Sequence, residues 1–314
     1  MASTTTLGFR YGLSTGRAAT LARRSSAWLF LLPTLVFFVG WQVYPIIRVL
    51  WMSFTDFHFL RSQAANWVGL QNYANALSDP LVWTGLLRAV TFTALFLPGM
   101  IFVPMLLAIL VDRVTHPGLA AMYRLILLIP AVIPGPLIFV LWKWLYNFNI
   151  GPIDYLLVQA GLTTAQAAPQ WLGDARLTLP AIAIMEVWWG LGYHTMFYLA
   201  GLASIPREFN EAARVDGANE WNLFWHVTLP RLRPILLVLV VLRFGTAMAV
   251  IDEYLILGGF NRALPTYTWT VYMWDTAFQL GDWFQGYAAA IGWIGAVAML
   301  TVVAGLFWVF RSRD

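Results

Sequence analysis

Residues 211–230 read EAARVDGANEWNLFWHVTLP, a polar run inside a chain that is otherwise oily. Its fixed points are Glu211-Ala212-Ala213, a gap of three residues to Gly217, and a gap of nine to Val227-Thr228-Leu229-Pro230. Just upstream, Pro206 suits the first turn of a short helix, where its missing N–H costs nothing, and Glu208 and Glu211 lie where the helix dipole favours carboxylates. Gly217 is expected to end that helix, because glycine takes the left-handed conformation without a Cβ penalty. A second amphipathic stretch from Asn219 to Val227 carries Trp221, Phe224 and Trp225, and Pro230 and Pro234 separate it from the next apolar run. The expectation is a helix, a bend and a helix along a membrane face, with Ala212 and Ala213 keeping one side slim enough for a partner's groove. An amphipathic interfacial helix that binds nothing is the simpler alternative.

Composition calls for a membrane around this run. The 314 residues are 60% hydrophobic and only 11% charged, with a mean hydropathy of +0.68, whereas soluble domains carry about 25% charged residues. No cysteine is present, which excludes disulfides, thiolate metal sites and thiol nucleophiles. Apolar runs of the ~20 residues that cross a bilayer core occur at 27–48, 86–111, 124–146, 179–202, 235–257 and 287–310. The first continues into Tyr44, Pro45 and Ile46 where a signal peptide would need small residues, so it is expected to be an uncleaved span.

The arginines orient these spans. With a cytoplasmic N-terminus, the inner segments hold Arg10, Arg17, Arg23, Arg24, Arg113, Arg124, Arg207, Arg214, Arg231, Arg233, Arg311 and Arg313, against Arg61, Arg176 and Arg262 outside. This bias puts residues 204–234 in the cytoplasm, along with both termini. The outer loops near 55–85, 147–178 and 258–286 are too short for a separate folded domain. Trp51, Trp67, Trp83, Trp274 and Trp283 fall near span ends and read as an aromatic belt.

The polar run resembles the coupling loop of permease subunits in binding-protein-dependent ABC importers: EAA, three residues, Gly, nine residues, Ile or Val, any residue, Leu-Pro. Every fixed position and both gaps match. The resemblance extends from the first span to the last, although only this loop is highly specific. It implies an all-α membrane protein of six transmembrane helices with the type I importer permease fold and a cytoplasmic coupling helix. The divisions are a tail at 1–26, a permease domain at 27–310 with its coupling loop at 204–234, and a cytoplasmic end at 311–314. It assigns contact with the ATPases to Glu208, Glu211, Ala212, Ala213, Asp216, Gly217, Leu229 and Pro230.

The implied partners are two ATP-binding cassette subunits, a second homologous permease in a heterodimer or else a duplicate of this chain, an extracytoplasmic solute-binding protein and membrane lipid, with no nucleic acid. The implied location is a bacterial or archaeal cytoplasmic membrane. The energy must come from another chain: a P-loop needs GxxxxGK[ST], and the single lysine, Lys143, sits between Trp142 and Trp144. This chain is therefore expected to bind no cofactor, with ATP and Mg held by the partner ATPases. The first span, LFLLPTLVFFVGWQVYPIIRVLWMSFTDF, and the stretch from Trp188 through Pro206 are similar to carbohydrate permeases of the maltose and glycerol-phosphate type. That likeness implies a sugar, oligosaccharide or polyol phosphate.

Polar residues inside the bilayer are costly and so mark function. The richest cluster is Glu186, Trp188, Trp189, Gly190, Tyr193 and His194, and positions 186, 189, 190, 193 and 197 share one helical face. Carboxylate, indole, phenol and bare backbone suit the C–H faces and hydroxyls of a sugar, although Trp, Tyr and Gly also serve plain helix packing. Thr246 falls near the middle of the fifth span and is expected to face the path. Asp252 and Glu253 are expected nearer the outer interface. Arg243 is open to three roles: receiving an anionic substrate, pairing with Glu186 or snorkelling. Glu186 lies about 6 Å outward of its span's centre and Arg243 about 4 Å inward, which strains a direct pair. Pro130, Pro134 and Pro136 with Gly135 should break the third span, as a hinge or as a packing irregularity.

Other function classes fit less well. The histidines, His58, His116, His194 and His226, are scattered, and neither HExxH nor GxSxG occurs, which leaves no catalytic set. An ion-coupled secondary transporter or channel is the remaining alternative, with Glu186 and Arg243 relaying protons.

Overall fold

Helix formation in this chain follows its prolines and caps. In the computed structural model, residues 30–60, 65–279 and 284–310 are described. The tails at 1–26 and 311–314, with their arginines, and Arg61 and Trp283 lie outside them. The chain divides into two units, Met1–Trp51 and Met52–Asp314. Helix α1 (Phe30–Ser53) is a single apolar run that widens into a π turn at Val39–Val43. Within it, Phe37 packs on Trp41 with ring centroids 5.6 Å apart, and the Arg48 guanidinium lies 4.3 Å over the Trp51 ring.

In the second unit, α2 (Gln71–Ser78) leads directly into α3 (Pro80–Asp112). Asp79 caps α3, accepting from the Leu81 N–H at 2.8 Å, and Pro80 opens the first turn. This cap starts the helix six residues before the expected boundary of 86. Helix α4 (Pro117–Val132) begins the same way, with His116 accepting from the Leu119 N–H at 3.3 Å. It ends where Pro134 removes a donor and holds Ile133 extended, and α5 (Gly135–Leu145) leaves at 93°. The expected break in the third span is therefore a sharp turn.

After α6 (Pro152–Gln159) come α7 (Thr178–Ala203) and the short α8 (Arg207–Val215). A further long helix, α9, spans Glu220–Met248 and is bent by 45° from α10 (Asp252–Gly258). Helix α11 (Trp269–Phe278) and helix α12 (Gln285–Phe310) complete the chain. The separation expected at Pro230 and Pro234 does not occur. A π turn at Phe224–Thr228 absorbs the extra residue before Pro230, and the helix continues through both prolines.

No sheet forms among the described residues; one isolated bridge joins Thr55 and Trp67. By length and composition, α1, α3 and α12 are apolar enough to cross a membrane, and the bent pairs α4–α5 and α9–α10 raise the total to five. Against the six expected, the difference is α7. Its 26 residues would reach about 39 Å, but Glu186, His194 and Thr195 interrupt its apolar sequence.

Helix α7 is the centre of the unit, packed along α3 and across α4 and α9. In lipid there is little hydrophobic drive between helices, so such packing relies on close approach of small residues. A Cβ at Gly192 would overlap the Leu127 carbonyl, which is how near α4 comes to α7. Two buried clusters result. One gathers Phe92, Phe96, Met185, Phe244, Tyr254 and Trp269 around α3, α7 and α9–α11. The other gathers Met105, Ala108, Tyr198, Leu232 and Leu239 where α3, α7 and α9 approach α8.

Candidate functional site

Backbone carbonyls freed by the two helix breaks must find donors away from water. At the α9–α10 break, Trp269 Nε1 donates to the Met248 carbonyl at 2.9 Å and Thr270 Oγ1 donates to the Val250 carbonyl at 2.6 Å. At the α4–α5 break, Trp189 Nε1 donates to the Ile133 carbonyl at 3.3 Å. Lys143 Nζ donates to the Ile256 carbonyl at 2.6 Å, which secures α10 to α5. The breaks are thus fixed, and the one between α9 and α10 borders a cavity of about 440 Å³.

The cavity is lined by Phe92 and Phe96 of α3, Glu186 and Trp189 of α7, Arg243 and Thr246 of α9, and Asp252 and Glu253 of α10. Three of the six path residues expected from sequence, Glu186, Trp189 and Thr246, meet here. The other three lie outside the lining. Trp188 packs edge-on against Trp142, 5.5 Å away. Gly190 faces Met100 of α3 and gives its carbonyl to His194. Tyr193 is 55% exposed and packs on Phe197.

Asp252 and Glu253, which sequence reasoning did not assign to the path, also line this cavity. The bend at Ala249–Ile251 sets α10 at 45° to α9, a deflection that no local signal marks. Glu186 is 8% exposed, and its Oε1 has no hydrogen-bond partner among the described residues. Of the three roles open to Arg243 from sequence, the ion pair with Glu186 does not form among the described residues. Arg243 Nε donates to His194 Nε2 at 2.6 Å. That bond requires Nε2 to be the acceptor, so the imidazole proton sits on Nδ1 and is donated to the Gly190 carbonyl at 2.8 Å. Thr246 Oγ1 donates to the Arg243 carbonyl at 3.1 Å.

The second region lies about 26 Å further along α7, counting from Glu186 to Ala203, where the chain turns into α8. No residue of α8 is buried. Gly217 has φ +83°, and the helix closes with two bonds: Gly217 N–H to the Arg214 carbonyl at 3.1 Å and Ala218 N–H to the Ala213 carbonyl at 2.9 Å. This pair is the Schellman closure, which needs a residue free to adopt the left-handed conformation. Asn219 then caps α9, accepting from the Asn222 N–H at 2.9 Å. Glu220 joins Arg113 at the end of α3, at 2.5 Å, to Arg214 of α8, at 3.1 Å. The Arg231 guanidinium covers the Phe209 ring at 3.3 Å.

Of the residues assigned to ATPase contact, Glu208, Glu211, Ala212, Asp216 and Gly217 are exposed, and Ala213, Leu229 and Pro230 are half-buried. Sequence reasoning singled out neither the Arg113–Glu220–Arg214 chain nor the Arg231–Phe209 contact. Both join residues on separate helices, and only the i, i+6 spacing of Arg214 and Glu220 is local.

Comparison with known proteins gives this arrangement a context. The chain is 28% identical over 295 residues to the sulfoquinovosyl glycerol transport system permease protein SmoG of Agrobacterium fabrum, covering 94% of this chain and 93% of that one. It is 29% identical over 278 residues to the trehalose/maltose transport system permease protein MalF of Thermococcus litoralis, covering 88% and 91%. Its fold matches a chain from the crystal structure of a bacterial ABC transporter involved in import of the acidic polysaccharide alginate. That match has a TM-score of 0.80 at 24% identity and covers 93% of this chain and 97% of the other. Residues 73–312 match the family described as binding-protein-dependent transport system inner membrane component. With more than half its length in that match, the chain belongs to the inner membrane components of binding-protein-dependent transport systems.

Proposed function

We propose that this chain forms the translocation path for a sugar or related solute and is driven by separate ATPase subunits docking on α8 and the Gly217 bend. The observation that carries the proposal is a nine-residue helix, none of it buried, closed by a left-handed glycine in a chain of this family. Such a helix contributes no core, so its sequence answers to a partner. Glu220 clasps α8 to the end of α3, and Arg231 ties it to α9. A push on α8 is thereby passed to two helices that also line the cavity. Rigid-body rocking of such helices exposes a midplane site alternately to the two sides.

A carbohydrate is favoured by the relatives' names and by the cavity's own chemistry. Glu186 offers acceptors, Arg243 offers donors, Thr246 offers a hydroxyl oxygen, and Trp189 offers a ring. In this proposal α7 is the fourth span in order and brings the total to six, its polar residues facing the path rather than lipid. The arginine distribution places α8 and both termini in the cytoplasm. Two ATP-binding cassette subunits hold ATP and Mg, a second permease completes the path as a heterodimer, and an extracytoplasmic binding protein delivers the solute. The test is co-purification of the detergent-solubilised chain from its native membrane, with an ATPase assay on the recovered assembly. Recovery of an ATP-binding cassette subunit and ATP hydrolysis stimulated by the loaded binding protein are expected. Uptake that persists without an ATPase subunit and follows an ion gradient would overturn the proposal.

A further inference from the structure

We infer that the cavity between α7, α9 and α10 takes a neutral polyhydroxylated solute and excludes anionic ones; this rests on the translocation path proposed above. Arg243 and Glu186 line the same cavity, yet no ion pair joins them among the described residues. The guanidinium is instead held from behind. His194, fixed by the Gly190 carbonyl, accepts from Arg243 Nε and leaves the two terminal nitrogens as the end available to a ligand. Glu186, nine-tenths buried, has an oxygen without a partner. A buried acceptor left unpaired is costly, and a ligand that bridges it to the guanidinium removes that cost. Neighbouring hydroxyls of a sugar can do so, one accepting from the guanidinium and the other donating to the carboxyl.

Charge sets the second half of the inference. Among the described residues, Arg243 is the only cation in the lining, against Glu186, Asp252 and Glu253. Even with both glutamates protonated, Asp252 offsets Arg243, so the lining carries no net positive charge. With the glutamates ionised it is net negative. A uronate, sulfonate or phosphate would gain one guanidinium and face up to three carboxylates. A neutral sugar uses the same donor and acceptors without that repulsion.

The experiment uses the absence of cysteine from the chain. Thr246→Cys places one thiol on this subunit at an exposed cavity position. In the assembled importer in lipid nanodiscs, its modification by a cationic and an anionic methanethiosulfonate is timed by mass spectrometry of this chain and normalised to a free thiol. The cationic reagent should react at least as fast as the anionic one, and roughly tenfold faster with the glutamates ionised, as expected for opposite charges near a negative lining; Glu186→Gln with Asp252→Asn should lower the ratio. Maltotriose should slow the modification, and digalacturonate should not. A faster reaction with the anionic reagent, or protection by digalacturonate alone, overturns the inference. Failure of the chain to associate with an ATPase would instead strike the proposed function, and the reagent ratio is read independently of it.

Discussion

Replacing Gly217 separates the shape of the exposed bend from its chemistry. Gly217 has φ +83°, and a Cβ built there meets nothing within 4 Å. Substitution by alanine therefore costs only the backbone penalty of a side chain in the left-handed region, about 1–2 kcal/mol. That lowers the native bend relative to alternatives by roughly 5- to 30-fold. The two closing bonds, from Gly217 and Ala218, should loosen together, because both depend on that conformation. Since α8 buries nothing, the loss should stay local and leave the bundle intact. In proteoliposomes of the assembled importer, Gly217→Ala and Gly217→Val should lower solute taken up per ATP hydrolysed, valine the more. Gly217→Asn should remain near wild type, because asparagine tolerates the left-handed conformation. Wild-type stoichiometry in the valine variant, with normal membrane insertion, would refute the assignment of the bend to coupling.

Other perturbations probe the bundle and the cavity. Gly192→Val should clash with the Leu127 carbonyl and cost about 1–3 kcal/mol, read as a lower thermal unfolding temperature in detergent. Asp79 accepts from Tyr272 at 2.6 Å and Tyr287 at 2.8 Å; burial alone would raise its carboxyl, but these phenols and the Leu81 N–H outweigh it and hold the group below its ordinary value of 3.8. A depressed carboxyl stabilises the fold above that ordinary value and loses the contribution as pH falls through the folded one. Thermal stability should therefore decline below about pH 4, and Asp79→Asn should flatten that part of the profile. Glu186→Ala should slow uptake while the assembly still co-purifies; an unchanged uptake rate would remove Glu186 from the path.

Much of this protein is written locally in its chain. The proline cluster at 130–136 marks the α4–α5 break because proline acts on its immediate neighbours. Gly217 marks the end of α8 for the same reason. Asp79-Pro80 was an equally local cap signal, and it accounts for the earlier start of α3. What could not be seen depends on distance in space. Arg243 and His194 are 49 residues apart and join only because α9 crosses α7. Asp252 and Glu253 enter the cavity only because α9 breaks before them, and that break is held by Trp269 and Thr270 on a later helix. Continuity through Pro230 and Pro234 runs against the local rule because the π turn precedes them.

The most direct measurement is cross-linking from the bend itself. Val215 is 87% exposed at the end of α8, and Val215→Cys would be this subunit's only thiol. With a short thiol-directed photo-cross-linker in native membranes, the adduct should contain an ATP-binding cassette subunit, and its yield should change when ATP is added. Adducts with lipid alone, from a chain that still supports uptake, would contradict the account.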